Sequence, residues 1–120
     1  MLEKIEYYPQ GHHVLAYGKQ EQYAYLENGV FMGKTNLVIN DDDQSIYIDY
    51  FEIIDDYQLK GKGKQMLHEL FDFFPHIKKV WGISREDVLT YFWSKQEGYE
   101  CTGECSDEYE GYFSFELKRK

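Results

Sequence analysis

No run of this sequence approaches the roughly 18 apolar residues that a membrane-spanning helix needs. The opening Met1-Leu2-Glu3-Lys4 is not a signal peptide either. The expectation is a cytoplasmic protein without a membrane partner. Cysteine is scarce, with Cys101 and Cys105 the only two. Two thiols cannot build a zinc site alone, and His12 and His13 are distant in sequence, so a reduced pair and no metal are expected. Positive charge is also in short supply: 13 Lys and Arg against 22 Asp and Glu leave a formal charge of −9. That balance argues against a nucleic-acid binder and suits a basic partner or simple solubility. Repeats, linkers and low-complexity segments are missing as well.

What is present is a single domain's worth of chain, 120 residues, with 12 Tyr and 8 Phe. Such side chains favour strands. Val14 to Tyr17 reads as a strand, as does Gln22 to Glu27, where Tyr23 and Tyr25 fall on one face and Ala24 and Leu26 on the other. Asn28-Gly29 is a hairpin turn, since both residues tolerate positive φ. Val30 to Ile39 is the next strand, Asn40 to Asp43 an acidic turn, and Ser45 to Ile54 the longest apolar strand, expected at the centre of the sheet. The first half is therefore an antiparallel meander.

The second half alternates. Met66, Leu67, Leu70, Phe71 and Phe74 recur at helical spacing, and Pro75 ends the run. Lys79 to Ile83 is a short strand. Ser84 to Asp87 resembles a capping box, and Val88, Leu89, Phe92 and Trp93 give a second helix an apolar face. Gly98 closes that helix, Tyr99 starts a strand, and Gly111 to Leu117 alternates as a last one. The order ββββ-α-β-α-ββ describes an α+β domain with a mixed, mostly antiparallel sheet and two main helices.

Between the central strand and the first helix lies Gln58-Leu59-Lys60-Gly61-Lys62-Gly63-Lys64. Strand, glycine loop, helix is an order that builds an anion site, because backbone N–H groups converge on the helix N-terminus and glycine lets an anion come close. The spacing is not that of a P-loop, since Gln65 follows Lys64. It is not a dinucleotide fingerprint, which needs a third glycine and an early βαβ unit. The plain alternative is a solvated, lysine-rich turn.

Residues Glu52 to Lys64 resemble the acetyl-CoA motif of the GNAT superfamily of N-acetyltransferases: a strand, a short acidic turn, then Gln or Arg-x-x-Gly-x-Gly or Ala opening a helix. Val88 to Phe92 followed by Gly98-Tyr99 is similar to the family's second motif, a helix with an aromatic pair and then Gly-aromatic. The resemblance covers Ile46 to about Glu100. It implies acetyl-CoA as cofactor, its pyrophosphate held by the amides of Gln58, Leu59, Lys60, Gly61, Lys62, Gly63 and Lys64, with the three lysines adding charge. It also implies that backbone groups of Phe51 and Ile53 pair with the pantetheine arm, near a bulge that leaves an N–H to polarise the thioester.

The implied chemistry is direct attack of an amine on the thioester, which requires proton removal. The family's usual base position falls on Tyr47. Asp49, on Tyr47's side of the strand under period-2 geometry, is the first candidate, and Glu52 is the second. The family's usual acid position falls on Phe92 or, counted back from Gly98, on Ser94, so Tyr91 is the tyrosine available. Ahead of the central strand, family members carry two helices where this chain reads as strands and turns. That implies an open acceptor side, suited to a lysine side chain, a basic protein or another large amine, or completed by a second subunit in a homodimer. The alternative within the same resemblance is a CoA-binding or protein-interaction module with impaired catalysis.

Overall fold

A computed structural model describes residues 1–5, 18–58, 60–84, 92–93, 95–96, 98–105 and 113–119. Seven strands form one sheet in the order β1-β2-β3-β4-β5-β7-β6: β1 (Leu2–Ile5), β2 (Lys19–Glu27), β3 (Val30–Asn40), β4 (Ser45–Ile53), β5 (Lys79–Ser84), β6 (Tyr99–Cys105) and β7 (Phe113–Lys118). All neighbours run antiparallel except β4 and β5, which are parallel because α1 (Lys62–Phe73) crosses over between them. The expected meander is present, and β4 lies at the centre.

Local chemistry sets the corners. The β2–β3 hairpin turns on Asn28 and Gly29, at φ 51° and 79°, the positive values the Asn-Gly pair permits. At the β3–β4 turn the Asn40 side-chain oxygen accepts from the amides of Asp42 and Asp43, at 3.0 and 3.3 Å. The acidic run is thus a hairpin tip, with its carboxylates exposed.

One face of the sheet carries the core. Tyr23, Tyr25, Leu37, Ile39, Ile46, Ile48, Val80, Phe115 and Leu117 meet Met66, Leu67 and Leu70 of α1. These helix residues lie at i, i+1 and i+4, one stripe of a 3.6-residue period. The helix stops before Pro75, and Arg119 closes its end. Its guanidinium donates to the carbonyls of Phe71 (2.6 Å), Phe74 (3.1 Å) and Ile77 (2.8 Å) while lying 5.0 Å from the centre of the Phe71 ring.

Three expectations need correction. Two main helices are not borne out: among the described residues only α1 is a full helix, Ser84 belongs to β5, and Phe92 and Trp93 are helical. These two serve as an aromatic anchor on the core, Trp93 stacked on Phe115 with centroids 4.1 Å apart. Residues 85–91 lie outside the described residues, as do the strand expected at Val14 to Tyr17, His12 and His13. Second, the edge strand β1 was not anticipated, because Leu2–Ile5 has apolar residues only at its two ends and no alternation. It forms by pairing with β2, Leu2 opposite Tyr25. Third, β4 ends at Ile53, one residue early, where the chain enters the short turn Asp55–Tyr57, although the Ile54 amide still bonds the Met32 carbonyl of β3 at 2.9 Å.

Candidate functional site

The parallel pair at the sheet centre comes apart. β4 and β5 are in register from Ser45/Lys79 to Ile48/Gly82 and no further, although β4 runs on to Ile53 and β5 to Ser84. Beyond Ile48 the β5-facing edge of β4 has no strand partner among the described residues. A strand edge that no neighbouring strand covers invites an extended, amide-bearing ligand. At the apex sits Gly82, where a Cβ would meet the Phe115 ring at 2.8 Å and the Ile48 carbonyl oxygen at 3.2 Å. Only glycine leaves that ring and strand their present places.

A bulge starts where the gap starts. Leu37 pairs with Ile48 and Asn36 with Tyr50, so Asp49 is an extra residue on β4. The Thr35 hydroxyl, fully buried, donates to the Tyr50 carbonyl at 2.7 Å and holds the kink. The bulge also shifts the strand's phase. Ile46 and Ile48 reach the core before it, and Phe51 and Ile53 after it, while Tyr47 packs against Trp81 with centroids 4.6 Å apart. The alternation thus breaks between Asp49 and Tyr50, and beyond the break Glu52 falls on the face opposite Phe51 and Ile53. Asp49 is half-buried at the bulge; Glu52 is exposed. The Phe51 ring is enclosed by Phe92 and Trp93, at 5.9 and 5.2 Å between centroids, which leaves its backbone as the part able to meet a ligand.

The loop into α1 starts from the end of β4 that lies beyond its last pair with β5. A short 3-10 turn, Asp55–Tyr57, follows β4, and the Gln58 side-chain amide donates to the Ile53 carbonyl at 2.8 Å, tying loop to strand. Gly61 is the helix N-cap at φ 75°, and its Cβ position is open, with nothing within 4 Å. Its glycine is needed for backbone conformation. Gly63 is needed for packing: a Cβ there would stand 3.1 Å from the Phe92 ring. The first intrahelical bond runs from the Gln65 amide to the Gly61 carbonyl, so the amides of Lys62, Gly63 and Lys64 precede the helical ladder. No side chain caps them, and the first turn holds no acidic residue. This is the arrangement that binds an anion. The loop lysines are not equivalent. Lys62 bonds Glu27 at 2.5 Å, and that bond, ahead of burial, sets the balance that lowers the Glu27 carboxyl below its ordinary range. Lys60 lies 6.0 Å from the centre of the Tyr57 ring, and Lys64 is exposed. Of the three, Lys62 is paired with Glu27. Leu59 and Tyr91 lie outside the described residues.

The sheet face opposite the core is polar beside the bulge. Tyr50 donates its hydroxyl to Glu52, and the Lys34 ammonium is 5.4 Å from the Tyr50 ring centre. Burial, and then the Glu52 carboxylate, push the Tyr50 hydroxyl up to about 12. Next to it, the Asn36 side-chain oxygen is buried and no hydrogen bond reaches it.

Solved structures share the overall fold of this chain. A GNAT family acetyltransferase from Elizabethkingia anophelis with acetyl-CoA bound is similar over 99% of this chain and 97% of its own, at TM-score 0.67 and 13% identity. The chain has the GNAT fold. The paia N-acetyltransferase from Thermoplasma acidophilum, in complex with coenzyme A, is similar at TM-score 0.66 and 19% identity over 82% of this chain, which spans 60% of that protein's length. Spermidine N-acetyltransferase from Vibrio cholerae (the F149A mutant) gives TM-score 0.68 and 14% identity over 82% of this chain and 65% of its own. No protein-family model matches the sequence, and no curated protein matches it.

Within this GNAT fold, Asp49, Phe51 and Ile53 lie on the part of β4 beyond its last pair with β5, Gln58 is tied to Ile53, and Lys60 to Lys64 lead into α1. Glu52 accepts the Tyr50 hydroxyl. Sequence reasoning missed Gly82, Asn36 and Tyr50. Asn36 left a signal, a carboxamide inside a strand and next to the apolar run Leu37 to Ile39. Among the described residues no group of three His, Cys, Asp or Glu could hold a metal, and no helix is long and apolar enough to cross a membrane.

Proposed function

We propose that this chain is an acetyl-CoA-dependent N-acetyltransferase acting on a primary amine. The observation that carries the reading is the gap between β4 and β5, which opens beyond Ile48/Gly82 toward the uncapped amides of Lys62, Gly63 and Lys64. The residues present fit the cofactor: an anion site without a capping side chain, next to a strand edge able to pair with an amide-bearing arm. When bound, acetyl-CoA supplies an activated acyl thioester.

The chain's own groups do the rest. The amides of residues 62–64, aided by Lys60 and Lys64, hold the pyrophosphate, and backbone groups of Phe51 and Ile53 orient the arm. Gln58 keeps the loop attached to β4, so that anion site and strand edge stay aligned. The amine nitrogen bonds to the acyl carbon, the C–S bond breaks, and the thiolate leaves with its electron pair. Asp49 takes the amine's proton, directly or through water, and Glu52 is the second candidate for that role. The thiolate takes its proton from Tyr91 or from solvent; a thiol's low pKa lets it leave without prior protonation more readily than an alkoxide would. Two features favour a lysine-bearing or otherwise cationic acceptor: the formal charge of −9 and the polar face at the bulge. Among structural neighbours, one acts on spermidine.

A second reading is a CoA-binding or interaction module without turnover. It is favoured by Tyr47, which occupies the family's usual base position and is buried against Trp81. Thiol release from acetyl-CoA, measured with and without a panel of amines and lysine peptides, separates the two. Amine-dependent release supports the transferase, whereas saturable binding without any release contradicts it and leaves the module.

A further inference from the structure

The unmet oxygen of Asn36 lies in an informative place. The last row paired across the three central strands is Leu37–Ile48–Gly82. One step further, Asn36 stands opposite Tyr50, at the bulge and at the start of the gap. Leu37 of β3 reaches the core, so its neighbour Asn36 points to the opposite face, together with Lys34 and Val38. On β2 its register partner is Gln22, yet no bond is made to the Asn36 oxygen. A buried carbonyl without a donor is disfavoured unless something arrives to meet it.

We propose that Asn36 is a specificity-determining residue for the acceptor, accepting a hydrogen bond from a second N–H group on the amine substrate. This rests on the transferase reading above. The attacking nitrogen must approach the gap between β4 and β5. From the midline of that gap to β3 is one and a half strand spacings, about 7 Å. Asn36 is therefore too far sideways to hold the attacking nitrogen itself. It matches a donor about 7 Å away on the same molecule, the separation across an extended four- or five-carbon chain. The favoured substrate class is thus a diamine or a lysine derivative with a free N–H at its far end. A simple alkylamine would leave Asn36 unmet. The reaction is unchanged, with the new N–C bond and the broken C–S bond as before, and Asn36 neither gains nor loses a proton.

The test compares butylamine with 1,4-diaminobutane as acceptors, by thiol release from acetyl-CoA at saturating cofactor. The wild-type protein is expected to prefer the diamine in kcat/KM by about tenfold, the scale of one well-placed hydrogen bond. Asn36→Leu, close in shape and free of polar atoms, should abolish that preference by raising KM for the diamine while leaving butylamine unchanged. Asn36→Asp, which keeps an acceptor oxygen, should restore it. A merely structural role for Asn36 would move both amines together. An equal preference in wild type and Asn36→Leu overturns the inference and leaves the transferase reading intact. Acetyl-CoA binding with no thiol release from either amine overturns the transferase reading, and this inference with it.

Discussion

Gly61→Asp separates the fold from the site. The position is open, since a Cβ there would touch nothing within 4 Å, so the substitution creates no clash. Its backbone is left-handed at φ 75°, which costs a non-glycine residue about 1 kcal/mol, less for Asp than for most. Against that, a carboxylate at the helix N-terminus gains about 0.3–1 kcal/mol from the dipole, and the first turn at present holds no acidic residue. The net change is within about 1 kcal/mol, or about 4 °C in Tm for a domain of this size. The effect on the anion site is larger. A carboxylate about 5 Å from a bound phosphate, at an effective dielectric near 20, is repelled by about 3 kcal/mol for each unit of charge. Halved for solvent screening and counted over two phosphate charges, that still corresponds to a loss of about 100-fold in acetyl-CoA affinity. Gly61→Asn is the control, with similar backbone tolerance and no charge. Calorimetric titration of the three proteins, with thermal melts alongside, is the assay. If Gly61→Asp binds acetyl-CoA within about threefold of the wild type while folding normally, the pyrophosphate is not at this helix and the reasoning fails.

Other perturbations test the frame. Gly82→Ala should destabilise by about 1–3 kcal/mol in urea, because its Cβ would stand 2.8 Å from the Phe115 ring at the apex; an unchanged midpoint would contradict that packing. Arg119→Ala should cost about 2 kcal/mol through the carbonyls left unmet at the end of α1, and Arg119→Lys should recover little, since one ammonium cannot fork to Phe71, Phe74 and Ile77. For Glu21, burial raises the carboxyl's pKa, but hydrogen bonds from Tyr23, Lys4 and Lys19 outweigh it, and the folded value lies below the ordinary 4.5. Its stabilisation is therefore complete above that unfolded value and lost as pH falls through the lower folded one. Glu21→Gln should be less stable than the wild type at pH 7, with the difference closing in the acid melts; a gap that persists at the lowest pH would refute this linkage.

Much of this architecture is legible in the sequence because short-range chemistry dictates it. Asn28-Gly29 can hardly do other than turn, the stripe Met66, Leu67, Leu70 can bury only as a helix, and β7 alternates as read. The bulge is legible too: in Ile46-x-Ile48-x-x-Phe51-x-Ile53 the apolar phase skips a residue after Ile48. Long-range pairings are a different matter. Nothing near Lys62 announces that Glu27, 35 residues away, will neutralise it, and nothing in the loop distinguishes Gly61, required for its φ, from Gly63, required for a ring. Leu2–Ile5 becomes a strand only because β2 presents an edge. Apolar character at Phe92 and Trp93 shows in the sequence, but not that both rings meet Phe51 and that Trp93 also stacks on Phe115.

The central claim is that the gap between β4 and β5, with the start of α1 at its mouth, binds acetyl-CoA. The most direct measurement is a titration of the isotopically labelled protein with acetyl-CoA, following each backbone amide by NMR. The account predicts saturable shifts, complete by roughly millimolar ligand, largest at Lys62, Gly63 and Lys64 and continuing along Phe51 and Ile53 to the apex at Gly82. No saturable shift at that concentration, or shifts confined to another part of the sheet, would contradict it.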